Sequence, residues 1–183
     1  QKNFLYIKAL GSPWVQFNGH TLNLSHRQIE ILCILALYPY GIGLEELHYA
    51  LYGERSVSLK TLKAELSQLR SLLPHSIEAR IYRLTCEVQC DFLRAEQSLN
   101  ANLISSTFSL YKGSFLSKSE SPLLSTWRHC FDARLSQLIY QIKDIDQLLR
   151  IIGQTHDRID AVQRLLELLP QDSTYRNYFS NLI

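Results

Sequence analysis

Apolar residues in this chain pass, near Ser25, from the period of two that marks strands to the period of about 3.6 that marks helices. That change limits the possible folds more than any other feature. Up to Leu24 the apolar positions alternate: Leu5, Ile7 and Ala9 against Tyr6 and Lys8, then Val15 and Phe17, then Leu22 and Leu24. Asn18-Gly19 stands between two of these runs, and such a pair suits a two-residue hairpin turn because both central residues need positive φ. From Ser25 onward helical spacing takes over, broken only by an extended, β-prone stretch over residues 77–84 that carries Arg80, Tyr82 and Arg83. The expected class is α+β, with a small antiparallel sheet at the start and an all-α second half.

The helices can be placed by their start and stop signals. Ser25 and Gln28 have capping-box spacing, and Ile29, Leu32, Cys33 and Ala36 form the apolar stripe of a first helix that Pro39, Gly41 and Gly43 end. Leu44, Leu47 and Leu51 mark a short second helix closed by Gly53. In the third, over residues 58–73, Leu59, Leu62, Leu66, Leu69 and Leu73 make one unbroken stripe, with Pro74 as the stop. The spacing then predicts one helix over residues 91–110 and a long one from Pro122 carrying Trp127, Phe131, Leu135, Leu138, Ile142, Ile145 and Leu149. A further helix is predicted over residues 157–169, and residues 173–182 close the chain. The expected division is 1–90 and 91–183, without a Gly/Ser linker between the parts.

Composition removes several classes. With 46% apolar and 20% charged residues the 183-residue chain is too hydrophobic for disorder, and four Cys over this length make no disulfide scaffold. The longest apolar run, residues 31–38, is too short to span a bilayer, and no signal-peptide pattern is visible. The expected setting is cytoplasmic, with no membrane partner. Met is absent altogether, so a processed chain or a piece of a longer protein is expected.

Net charge is only +2, but its distribution is uneven. Between Arg55 and Arg83 six basic residues (Arg55, Lys60, Lys63, Arg70, Arg80, Arg83) face two acids, Glu65 and Glu78, whereas from Glu96 onward nine of each sign cancel. A basic excess confined to one segment is what a polyanion-binding surface requires. The element order (small sheet, three helices with a short second, then a basic hairpin) reads as a winged helix-turn-helix. A helix about 10–12 Å across fits the major groove, with its apolar stripe on the domain and its polar face on the bases. Lys60, Lys63, Arg80 and Arg83 then suit phosphates, while Thr61, Ser67, Gln68 and Arg70 suit base edges.

The residues also resemble a known family. Asn18-Gly19-His20, Leu24-Ser25-His26-Arg27-Gln28, Glu46-Leu47-His48-Tyr49-Ala50-Leu51-Tyr52-Gly53, Leu66-Ser67-Gln68-Leu69-Arg70-Ser71-Leu72-Leu73 and Tyr82-Arg83-Leu84 are similar to the OmpR/PhoB-type winged helix of the Streptomyces antibiotic regulatory protein family. Tyr111-Lys112-Gly113-Ser114-Phe115-Leu116, followed by Pro122 and Arg128, resembles the bacterial transcriptional activator domain of that family, and residues 161–170 resemble a tetratricopeptide-like helix. The resemblance implies a sequence-specific transcriptional regulator of double-stranded DNA. Residues 58–73 would be its recognition helix and 77–84 its wing, and its helical half would serve protein contacts. It further implies RNA polymerase as a partner, and homodimers or tandem copies on repeated half-sites. This chain has Gln68 where the family has Arg, Arg80-Ile81 where the family has a Gly pair, and Leu123 where it has Trp. Gln68, the altered wing and the small net charge favour the alternative of a protein-interaction module whose winged helix no longer touches DNA.

Chemistry finds little support. Cys86 and Cys90 lack a second nearby pair, Cys130 beside His129 is isolated, and Cys33 reads as core, so no metal site or other cofactor is expected. No phosphate-binding glycine loop appears. Asp144, Asp146, Asp157 and Asp160 read as solvated helix faces, and no enzyme is expected.

Overall fold

The computed structural model describes residues 2–155 and 157–183. Strands β1 (Phe4–Lys8), β2 (Trp14–Phe17) and β3 (His20–Thr21) open the chain as antiparallel neighbours. Leu5 lies opposite Phe17 and Ile7 opposite Val15, so the alternating apolar residues share one face. Asn18 and Gly19 take φ of 51° and 82°, as their turn requires. Helix α1 (His26–Leu37) starts with a complete capping box between Ser25 and Gln28.

Three features of this half differ from the sequence expectation. A two-residue strand, β4 (Ile42–Gly43), stands between α1 and α2 (Leu44–Tyr52), too short to leave a period in the sequence. After α3 (Leu59–Leu72), β5 (Ile77–Glu78) and β6 (Ile81–Leu84) form the basic hairpin, and β4 pairs with β6 to give a three-stranded sheet in the order β4-β6-β5. The approach is close: Gly41 has φ of 100°, and a Cβ there would run into Ile81. Finally, β7 (Glu87–Cys90) joins the first sheet beside β1 in parallel, so the order β3-β2-β1-β7 is a mixed sheet and not a purely antiparallel one.

The second half is helical: α4 (Asp91–Asn100), α5 (Ile104–Leu110), α6 (Pro122–Tyr140), α7 (Ile145–Gln154), α8 (Ile159–Leu168) and α9 (Tyr175–Ser180). Two stretches expected to be single helices are each broken. Asn102 in the left-handed region (φ 55°) separates α4 from α5. Between α6 and α7, residues 141–144 leave the helix, and the Asp144 side chain accepts from the Asp146 amide to start α7. Ser121 and Pro122 begin α6 as expected, the Ser121 hydroxyl accepting from the Leu124 amide.

Both halves contribute to one continuous apolar core, which runs from Leu5, Ile7 and Leu32 through Phe92 and Phe115 to Leu135 and Leu165. Polar contacts fix the seam. The buried Asp91 carboxylate accepts from the amides of Ala9 (2.8 Å), Leu10 (3.0 Å) and Phe92 (2.8 Å). The Ser119 hydroxyl donates to buried Glu30 on α1, and Ser121 donates to the Ala50 carbonyl on α2 (2.7 Å). Arg128 holds the intervening loop through the carbonyls of Phe115, Leu116 and Ser119. Asp160 is not a solvated face: it is half-buried and, with Asp132, pairs with the buried Arg158, whereas Asp157 stays exposed while accepting from the Ser114 amide.

Candidate nucleic-acid interface

Helix α3 is built to show one face outward. The Ser58 hydroxyl accepts from the Thr61 amide (3.2 Å), satisfying a first-turn donor. Leu62, Leu66, Leu69 and Leu73 are buried against α1 and α2. Leu59, expected in the same stripe, is 38% exposed, since at the first position of the helix it lies beyond the reach of that core. At 100° per residue the direction opposite the leucines falls on Lys60, Ala64, Ser67 and Ser71. Lys63 and Arg70 lie along one flank of that line, Thr61 and Gln68 along the other. All of these are exposed with the helical half in place. Three of the four central residues are short, so the backbone of α3 can come close to a flat or grooved surface.

The hairpin stands beside the Lys63–Arg70 flank, because Arg70 Nε donates to the Ile77 carbonyl (3.4 Å). Its tip is strained: Arg80 has φ of 77°, a left-handed conformation that costs an L-residue with a Cβ about 1–2 kcal/mol. Arg83 lies opposite Glu78 across the two strands and pairs with it at 3.0 Å. Among the described residues no ion pair involves Lys60, Lys63, Arg70 or Arg80.

The eight residues singled out from sequence thus fall on two adjacent elements, in three roles. Lys60, Lys63, Ser67, Gln68 and Arg80 are exposed groups without a charged partner among the described residues. Thr61 shares its hydroxyl with Ser58 (2.9 Å), while Arg70 and Arg83 brace the hairpin. Sequence reasoning missed the brace behind this surface. Arg55, counted there with the basic cluster, bonds the carbonyls of Leu51 and Tyr52 and pairs with Glu120 at 3.5 Å, tying the α2–α3 turn to the helical half. Arg27 lies over the Tyr52 ring, 4.6 Å from its centroid, and pairs with Glu30 at 2.9 Å. Its signal was present in the i,i+3 spacing of Arg27 and Glu30. Among the described residues no three His, Cys, Asp or Glu side chains gather as around a metal ion, and no helix is long and apolar enough to cross a membrane.

No family model matches the chain. It is 28% identical over 169 residues to the uncharacterized 47.3 kDa protein in the thcA 5' region of Rhodococcus erythropolis, a match covering 90% of this chain and 38% of that protein. In fold it is similar to Mycobacterium tuberculosis EmbR, solved in complex with a low affinity phosphopeptide. The TM-score is 0.57 at 16% identity, over 99% of this chain and 56% of that one. The likeness to EmbR covers both the sheet-bearing first half and the helical second half. The chain spans well under two thirds of either protein.

Proposed function

We propose that this chain is the DNA-binding output region of a transcriptional regulator, with residues 1–90 as a winged helix-turn-helix and residues 91–183 as a tetratricopeptide-like helical unit. The observation that carries the reading is α3 itself. Its leucines are held by the core, and its outward side carries Lys60, Lys63, Ser67 and Gln68 free of acidic partners among the described residues. The fold likeness to EmbR and the family motifs in both halves support it.

In this reading α3, 14 residues and about 21 Å long, lies in the major groove. Ala64, Ser67 and Ser71 let its backbone approach. Lys60 and Lys63 neutralise phosphates along one groove wall, and Arg80 at the tip of β5–β6 reaches the next phosphate or the minor groove. Gln68 is the side chain best suited to a base edge, with adenine its natural partner, and Ser67 the second. Arg83 and Arg70 hold the hairpin at the angle that this docking needs; Thr61 fixes the start of α3. The helical half keeps α1 and α2 in place and presents surfaces for protein contact, RNA polymerase or a second copy among them.

Duplex binding measured by fluorescence anisotropy at several salt concentrations tests the proposal. A double Lys60→Ala, Lys63→Ala variant is expected to bind more weakly, with its salt slope reduced by about 2, since each phosphate contact contributes about 0.9. Absence of binding to mixed-sequence duplexes at low salt would instead leave the chain as a protein-interaction module.

A further inference from the structure

A second cationic site lies on the seam between the halves, away from α3. Four segments line an open cavity of about 620 Å³: the β1–β2 turn (Gly11, Ser12, Pro13), the first residue of α1 (His26), the loop between α5 and α6 (Lys112, Ser114, Leu116, Ser117, Lys118) and Asp157 before α8. Lys112 and Lys118 form no ion pair and donate no side-chain hydrogen bond among the described residues. The one acid in the lining, exposed Asp157, is held by its Oδ2, which accepts from the Ser114 amide (3.1 Å) and the Tyr111 hydroxyl (3.4 Å). Lys112 and Lys118 therefore line the cavity with His26, three serines and a single carboxylate, Asp157, which leaves an excess of one positive charge. The first turn of α1, which opens toward it at His26, carries no acid either.

The cup is held in shape before any ligand arrives. Gly11 and Gly113 take φ of 88° and 150°, and the two loops approach so closely that a Cβ on Gly113 would lie 3.0 Å from Gly11 Cα. Gly11 donates to the Ser114 carbonyl (3.2 Å) and Leu116 to the Ala9 carbonyl (3.1 Å). Pro13 and Leu116 add apolar wall beside the cations.

We infer that this cavity binds a small phosphate-bearing molecule, with Lys112, Lys118 and the serine hydroxyls on the phosphate and the organic body against Pro13 and Leu116. Two ammonium groups with hydroxyls in one cavity are suited to a phosphate, and the volume exceeds what inorganic phosphate alone would fill. Such a ligand bridges the sheet-bearing half and the helical half, so it would tighten the seam on which α1 and α2 rest.

Calorimetric titration of the full chain at constant ionic strength, without DNA, provides the test, with adenosine monophosphate, inorganic phosphate and adenosine as probes. Adenosine monophosphate is expected to bind saturably and adenosine not at all. Tighter binding of the monophosphate than of inorganic phosphate assigns the site to an organic ester, and equal binding assigns it to free phosphate. Lys112→Ala with Lys118→Ala, both exposed and unpaired and so compatible with folding, is expected to weaken the monophosphate by about ten-fold or more, the loss of one charge-assisted bond or two. Lys60→Ala with Lys63→Ala is expected to leave it unchanged. No saturable heat from the monophosphate or from phosphate up to about 10 mM (a free energy below 3 kcal/mol in size, roughly) overturns the inference. So does unaltered affinity in the Lys112, Lys118 variant, or loss of binding in the Lys60, Lys63 variant, which would move the anion to α3. None of these outcomes depends on duplex binding, so the site and the DNA-binding reading fail or stand separately.

Discussion

Arg80 combines two demands that oppose each other. Its backbone sits at φ 77°, where glycine is at ease and arginine is not, while its side chain is the one free cation at the hairpin tip among the described residues. Arg80→Gly is expected to raise stability to urea by up to about 1 kcal/mol, once glycine's own entropy is set against the relieved strain. It is also expected to weaken duplex binding. Arg80→Ala keeps a Cβ at the same φ, and so should weaken binding without the gain in stability. Equal stability of all three proteins would show that the tip is unstrained. The cysteines offer a second check at this scale. Burial, reinforced by the neighbouring Asp91 charge, pushes the Cys90 thiol up to about 12, and Cys33 is raised for the same reason. A raised thiol pKa means less thiolate, so alkylation of the native chain at pH 8 should modify exposed Cys130 and spare Cys90 and Cys33 until the protein unfolds. Mass mapping of the labelled residues reads this directly.

At the scale of elements, legibility followed locality. The capping box of α1, the Asn18-Gly19 turn, the Pro122 start of α6 and the leucine stripe of α3 are each specified by residues within a few positions of one another, and each could be read in the sequence. What escaped was either too short to have a period or decided by distant partners. Strand β4 is two residues long, and β7 owes its parallel place to β1, more than eighty positions earlier. Apolar spacing runs on unbroken through the ends of α4 and α6, so nothing in it marks the reversals at Asn102 and at residues 141–144. The candidate interface divides in the same way. Its exposed face followed from helical periodicity, but the engagement of Thr61 with Ser58, Arg70 with Ile77 and Arg83 with Glu78 needed coordinates. On α3 the Thr61–Gln68 flank is the one without a cation. Gln68→Arg is therefore expected to tighten duplex binding and steepen its salt slope by about 1, as one added phosphate or guanine contact would. An unchanged slope in the same anisotropy series would mean that this flank faces away from DNA.

Across the whole molecule, the seam decides how the two halves behave. The core does not stop at residue 90, and Asp91, at the join, is the acceptor for two buried amides at the end of β1 and one at the start of α4. Removing it leaves those donors without a partner, which costs about 1–3 kcal/mol each where water cannot replace the bond. Asp91→Ala is thus expected to lower the unfolding midpoint of both halves together. Trp14 in β2 and Trp127 in α6 report them separately, in variants that carry one tryptophan each. Their fluorescence transitions should coincide before and after the substitution, and separated transitions would show that the halves are independent. The pH dependence carries a definite sign. Burial raises the Asp91 carboxyl above its ordinary 3.8, although the amides of Ala9, Leu10 and Phe92 and the charge of Lys8 pull it down. Between those two values the folded chain binds the proton more readily than the unfolded chain does. The carboxyl's contribution to stability is therefore full below 3.8 and declines as pH rises through the raised value. The stability margin of the native protein over Asp91→Asn, which cannot titrate, should accordingly widen as pH falls from 7 toward 4. A margin that narrows on acidification would mean that the three amides outweigh burial and that the seam is held by a carboxylate easier to ionise than in the unfolded chain.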